Sequence, residues 1–158
     1  MLDLIFNNFT ADNTHKKGFF YKIIKTALKE LGLEGKNIEL SINLVGERRI
    51  RVLNKKYRGK NRATDVLAFP LNGQQAGELL KQKIITLGDI FICLPFAKKQ
   101  AKRENISIDS KLARLTVHGF LHLLGYDHDK SKKEEQKMFG LEKEIIDKVQ
   151  VIRYQKSK

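Results

Sequence analysis

The chain has 158 residues, 41% hydrophobic and 31% charged, enough for one domain with its own core and too apolar for a disordered chain. Its 31 Lys and Arg against 18 Asp and Glu leave a net charge of +13, which favours a polyanionic partner, nucleic acid or an anionic membrane surface. A single cysteine, Cys93, excludes an internal disulfide, no apolar run approaches the roughly 20 residues a spanning helix needs, and Met1 to Leu4 lacks signal-peptide character, so the expected setting is cytoplasmic, with no membrane.

Leu2, Leu4 and Phe6 alternate with Asp3 and Ile5 and predict a short first strand. After Asn13-Thr14, read as a helix cap, Phe19, Phe20, Ile23, Ile24, Ala27, Leu28 and Leu31 recur at helical spacing as far as Gly32. Ile38, Leu40, Ile42 and Leu44 alternate with Glu39, Ser41 and Asn43, which predicts a half-buried strand. Residues 46–57 read as a helix with Ile50, Leu53 and Tyr57 facing inward and Arg48, Arg49, Arg51 and Lys55 among the rest. Residues 65–69 form a short apolar strand stopped by Pro70, residues 72–77 a polar loop, and residues 84–94 a longer buried strand. Pro95 starts a basic helix over 96–103, and Asp109 or Ser110 caps the next, which carries Leu112, Leu115, Val117, Leu121 and Leu124 to Gly125. Ser131-Lys-Lys-Glu134 has the form of a capping box ahead of a last helix with Met138, Leu141, Ile145 and Val149. With no linker and no repeat, the expectation is one domain over 1–158. Its class is α/β (α+β), one sheet of about four strands with surrounding helices.

Three of the four histidines fall in one window, His118-Gly-Phe-Leu-His122-Leu-Leu-Gly-Tyr-Asp-His128. His118 and His122 are four apart on a predicted helix near the C-terminal end, so both project from one face. A continued helix would carry His128 about 240° around and about 9 Å along the axis, out of reach. Gly125 can end the helix in a left-handed turn and bring His128 back. Three imidazoles with water in a fourth position would make a catalytic zinc site, one Zn2+ per chain. The bland alternative is a set of separately hydrogen-bonded histidines on a half-buried helix.

The spacing is that of the metzincin signature H-E-x-x-H-x-x-G-x-x-H, with Gly119 in place of the general-base Glu. Either a substrate passes close over Gly119, or a neighbouring strand packs tightly against it. Peptide hydrolysis needs that missing carboxylate, whereas an alkoxide leaves a phosphodiester more readily, so phosphodiester cleavage is favoured. Lys55, Lys56, Arg58, Lys60 and Arg62 cluster without an acid, beside Tyr57 as a stacking face and Gly59 as a bend, which suits nucleic-acid phosphates. A solvated helix end is the alternative. Lys98, Lys99, Lys102 and Arg103 read as an ordinary exposed face. Asp65, Asp89, Asp127 and Asp129 are candidates to hold a ligand histidine or to replace the base, with Asp127 also suited to stabilising the turn. His15 reads as a surface residue and Cys93 as a packed thiol. No P-loop or dinucleotide fingerprint appears, so no nucleotide cofactor is expected.

The histidine block is similar to the H-G-x-L-H-L-x-G-Y-D-H signature of the YbeY family of bacterial rRNA-maturation factors. Leu53-Asn54 through Tyr57-Arg58-Gly59-Lys60, Thr64-Asp65-Val66-Leu67-Ala68-Phe69-Pro70 and Leu87-Gly88-Asp89-Ile90 resemble its other blocks, in order, across essentially the whole chain. Ala68 departs from the serine more common there. The resemblance implies a single-strand-specific metallo-endoribonuclease acting in 16S rRNA 3′-end maturation and ribosome quality control, with the small ribosomal subunit as partner. It implies zinc on His118, His122 and His128, and a catalytic or RNA-binding role for Arg58. Spacing and charge by themselves reach only a three-histidine metal site without the zincin base, on a basic surface. They leave open a non-catalytic rRNA-binding assembly factor with structural zinc, and a metallopeptidase that takes its base from elsewhere.

Overall fold

The alternating apolar segments pair into one four-stranded sheet. In the computed structural model, which describes residues 1–71, 78 and 81–156 (the last six as backbone alone), the strands are β1 (Leu2–Asn8), β2 (Asn37–Val45), β3 (Val66–Pro70) and β4 (Ile84–Cys93). The expected polar loop over 72–77 lies outside the described residues. Sheet order is β1-β2-β4-β3, with β1–β2 and β2–β4 parallel and the edge strand β3 antiparallel to β4. A parallel pair needs a long crossover, and α1 (Lys17–Glu30) supplies the one between β1 and β2. The other helices are α2 (Glu47–Arg58), α3 (Leu94–Glu104), α4 (Ile108–Leu123) and α5 (Lys132–Lys156).

Leu4, Ile38, Leu40, Ile42, Leu44, Ile85 and Ile90 project from the strands into the main core, which α1, α4 and α5 close with Phe20, Ile24, Leu112, Phe120, Met138 and Ile145. A smaller cluster of Val45, Ile50, Leu67 and Cys93 packs on Leu53, Phe69, Phe91 and Phe96 and seats α2 and α3. Cys93 is fully buried there, and burial pushes its thiol pKa up, consistent with a packed, inert side chain.

Strand β2 differs from the half-buried expectation. As a central strand it buries Ser41 and Asn43 as well as its apolar face. These polar groups are satisfied across the sheet. Asn7 Nδ2 donates to Asn43 Oδ1 at 3.0 Å, Asn43 Nδ2 to Ser41 Oγ at 2.9 Å and to the Ile90 carbonyl at 3.2 Å, and Ser41 Oγ to Asp89.

Helix starts also depart from expectation. Helix α1 begins at Lys17 behind Lys16, without a side-chain cap, because Asn13 and Thr14 belong to a preceding turn in which Asp12 Oδ1 accepts from the Thr14 amide at 2.9 Å. Ser107 rather than Asp109 or Ser110 caps α4, its Oγ accepting from the Ser110 amide at 3.0 Å. Asp109 sits in the first turn and meets His15 Nε2 at 2.6 Å, so His15 is a buried residue, not a surface one. Ser131 Oγ accepts from the Glu134 amide at 3.1 Å, as the capping pattern predicts. On α2, Asn54 turns inward and Tyr57 outward, the reverse of an apolar-inward reading. Asn54 is the better buried group because its Nδ2 donates to the Arg62 carbonyl at 2.9 Å, and its main-chain carbonyl accepts from the Lys60 amide, tying the basic loop to the helix.

Candidate metal centre and cleft

Helix α4 buries Leu112, Val117, Phe120 and Leu121 in the main core, and that packing fixes the rotation of its other face. His118 and His122 stand on that face with ring centroids 4.6 Å apart and their Nε2 atoms 3.1 Å apart. Beyond Leu124 the chain reverses through a Schellman turn. The Tyr126 amide donates to the Leu121 carbonyl at 3.1 Å and the Gly125 amide to that of His122 at 3.0 Å, with Gly125 at φ +96°. The turn carries His128 back over the helix end, its ring 5.5 Å from His118 and 5.2 Å from His122. One nitrogen from each ring then lies within 4.8 Å of the others.

The chemistry of this donor set fits a divalent metal. His118 Nδ1 meets Glu142 Oε1 on α5, so its proton is held there and the Nε2 lone pair faces the cluster. Burial, reinforced by the adjacent His118 and His128 rings, lowers the His122 pKa to about 4, which keeps it in the neutral form a ligand needs. His128 Nδ1 is buried without a hydrogen-bond partner among the described residues. A metal accepts all three conditions.

Glu142 is the residue sequence reasoning missed. Three of the four aspartates accept hydrogen bonds elsewhere: Asp65 from the Val66 amide at 2.7 Å, Asp89 from Ser41, and Asp127 from the Asp129 amide at 2.9 Å. Asp127 thus stabilises the turn. Asp129 lies 3.4 Å from His128 Nε2 and largely in solvent, and a carboxylate oxygen of Asp127 is within 4.8 Å of a ring nitrogen of His128. The signal for Glu142 is a carboxylate four residues after buried Met138 and three before buried Ile145, an acid on the inward face of α5.

The histidines open onto a cleft of about 480 Å³ that Arg58, Leu67, Ala68, Tyr126 and Lys130 also line. Gly59, at φ +71°, ends α2 and leaves Arg58 on the last turn. There its Nη2 donates to the Ala68 carbonyl at 2.9 Å and its guanidinium lies 5.8 Å from the Phe69 ring. The bond is to the main chain, so alanine serves at 68. The expected RNA-binding set divides. Arg58 faces the histidines, Lys55 and Lys56 line a separate cleft of about 600 Å³ with Arg48, Arg51, Val52 and Asn61, and Lys60 and Arg62 line neither. Gly119 is explained by packing: a Cβ there would meet Ile90 Cγ2 of β4 at 2.9 Å. Lys98 and Lys99 pair with Asp12 and Glu47, as ordinary surface groups do.

The comparisons agree with this geometry. The family described as Endoribonuclease YbeY matches residues 5–150. The Endoribonuclease YbeY of Persephonella marina is 38% identical over 146 residues, 92% of either chain, and that of a Sulfurihydrogenibium species 43% identical over 133 residues, 84% of this chain and 83% of its own. In fold, the solution structure of TM1509 from Thermotoga maritima aligns with a TM-score of 0.66 at 24% identity, covering 97% of this chain and 93% of that one. From the histidine block to the sheet that supports it, the chain belongs to the YbeY family of endoribonucleases, enzymes that hydrolyse RNA phosphodiester bonds.

Proposed function

We propose that this chain is a zinc-dependent, single-strand-specific endoribonuclease that acts in 16S rRNA 3′-end maturation and in ribosome quality control, working in the cytoplasm on the small ribosomal subunit. Residues 1–158 serve as one catalytic domain. The carrying observation is the convergence of three imidazoles in a cleft that Arg58 also lines.

His118, His122 and His128 hold one zinc ion, with Glu142 fixing the His118 tautomer. When bound, zinc supplies Lewis acidity that polarises a phosphoryl oxygen and brings the pKa of water towards about 7. Arg58 is the catalytic cation of the chain itself. Its planar fork suits a phosphate bearing developing charge, and its bond to the Ala68 carbonyl holds it over the cleft. Lys55, Lys56, Lys60 and Arg62 extend the contact to flanking phosphates. Gly119 stands where the zincin signature has its general-base Glu, which disfavours amide cleavage and its protonated amine leaving group.

The test is metal content and cleavage of a labelled single-stranded RNA, for the wild type and His118→Ala prepared identically. One zinc per chain with cleavage, both lost in the variant, supports the reading. Zinc retained by a wild type that leaves RNA intact even with ribosomes added refutes it and leaves an assembly factor with structural zinc. A 2′,3′-cyclic phosphate at the product end would assign attack to the RNA 2′-hydroxyl rather than to water.

A further inference from the structure

Helix α2 carries a row of cations of which the metal cleft uses only the last, Arg58. Arg48, Arg51, Lys55 and Arg58 follow at i, i+3, i+7 and i+10, one stripe of a 3.6-residue helix, and all four are exposed. Arg51 and Arg58 are two full turns apart, about 10 Å, on the same side of the helix. The stripe therefore runs without interruption from the outer cleft of about 600 Å³, which Arg48, Arg51 and Lys55 line, to the metal cleft, which Arg58 lines. No acid lines the outer cleft, and Val52, 59% exposed, forms an apolar floor between the cations.

Neighbouring charges on α2 are engaged elsewhere. Glu47 pairs with Lys99, and the Arg49 guanidinium covers the Phe9 ring at 4.4 Å. Arg48, by contrast, makes no hydrogen bond or ion pair among the described residues, and Arg51 is held outward by Asn61 Oδ1 at 2.9 Å from its Nε. Four like charges in a row repel one another and destabilise an isolated helix. A polyanion with regularly spaced phosphates relieves that repulsion.

We propose that this row is a rail for the phosphodiester backbone of single-stranded RNA, binding the strand outside the metal cleft and feeding it to Arg58. The inference rests on the endoribonuclease reading and adds Arg48 and Arg51 to the substrate footprint. A rail contacts only strands long enough to leave the metal cleft, so its signature is dependence on substrate length.

The experiment compares Arg48→Ala/Arg51→Ala with the wild type on a trinucleotide and on a long oligouridine, together with fluorescence titration of the long strand across a salt series. Each phosphate contact on a single strand contributes about 0.7 to the slope of log affinity against log salt, so the double variant should lose about 1.4. Its KM for the long strand should rise about tenfold, with kcat and trinucleotide cleavage unchanged. Arg48→Lys should restore part of the slope, which separates charge from folding. An unchanged slope and KM overturn the rail and leave the row to an acidic protein surface. If the wild type cuts neither RNA even with ribosomes added, the ribonuclease reading fails, and the titration slope still decides the rail.

Discussion

Replacing Gly119 by alanine adds one methyl group between the metal-bearing helix and the sheet, and two opposing terms set its effect. Alanine in place of a mid-helix glycine stabilises α4 by about 0.5–1 kcal/mol. The new Cβ would stand 2.9 Å from Ile90 Cγ2, 3.3 Å from Cδ1 and 3.4 Å from Cγ1. Ile90 is fully buried, and its Cγ2 is fixed to a branched Cβ, so relief requires a rotamer change or a shift of α4 away from β4. Overpacking of that kind costs about 1–3 kcal/mol, so the clash prevails and Gly119→Ala should destabilise by about 1–2 kcal/mol. A double-mutant cycle with Ile90→Ala isolates the contact. Alone, Ile90→Ala should cost about 2–5 kcal/mol through the cavity it leaves. Beside Ala at 119 the penalty should shrink by at least about 1 kcal/mol, because the added methyl now fills part of that cavity. Urea unfolding of the metal-free protein at constant m-value reads all four corners. A neutral or stabilising Gly119→Ala, with coupling inside the additivity error of about 0.5 kcal/mol, would show that Ile90 is not what requires glycine.

Glu142→Gln keeps the shape of the side chain but removes the charge that holds the His118 proton, and zinc affinity should fall about 10–100-fold in competition with a chromophoric chelator. An unaltered affinity would refute the orienting role. His122 gives a pH signature in the metal-free protein. Its folded pKa of about 4 lies below the ordinary 6.5, so the unfolded chain binds a proton that the folded one excludes. The associated stability is complete above pH 6.5 and is lost as pH falls towards 4. After screening of a partly exposed ring it amounts to about 1–2 kcal/mol. His122→Ala should flatten the unfolding midpoint across that window, and an unchanged slope would remove His122 as its source. Arg58→Ala should weaken RNA binding and slow cleavage with zinc content intact, measured by titration and metal analysis on one preparation; unchanged affinity and turnover would exclude Arg58 from the mechanism.

The histidine geometry was legible because it depends on local rules. Four-residue spacing places His118 and His122 together, and Gly125 supplies the one backbone conformation that returns His128. Strand number was equally readable from alternation, whereas the unfavourable mid-helix Gly119 announced a close approach without saying whether substrate or strand made it. What stayed hidden is set by tertiary partners. Glu142 reaches His118 across two helices, and no short spacing records that. His15 looks like any isolated polar residue until Asp109, far along the chain, accepts it. Ser41 and Asn43 read as the solvent side of a strand because a central position in the sheet is not encoded in the strand's own alternation. The cation cluster was visible as charge, but helical phase groups Arg48 and Arg51 with Lys55, and the end of α2 at Gly59 leaves Lys60 and Arg62 outside the row.

The polar ladder across β1, β2 and β4 bears on how the chain chooses its strand alignment. Apolar alternation has a period of two, so sliding β2 by one residue would turn Asn43 into the helix-covered core and is heavily penalised. Sliding it by two keeps every Ile and Leu on the correct face and costs little hydrophobic contact. The same slide would part Asn7 from Asn43 and Ser41 from Asp89, leaving buried amide and hydroxyl groups without partners at about 1–3 kcal/mol each. The even-numbered slips, invisible to greasy residues, are thus discriminated by these hydrogen bonds and by the register shift between Glu39 and Leu40. Since β4 carries Ile90, against which the metal helix rests, alignment of β2 on β4 is propagated to the height at which His118 and His122 face Arg58.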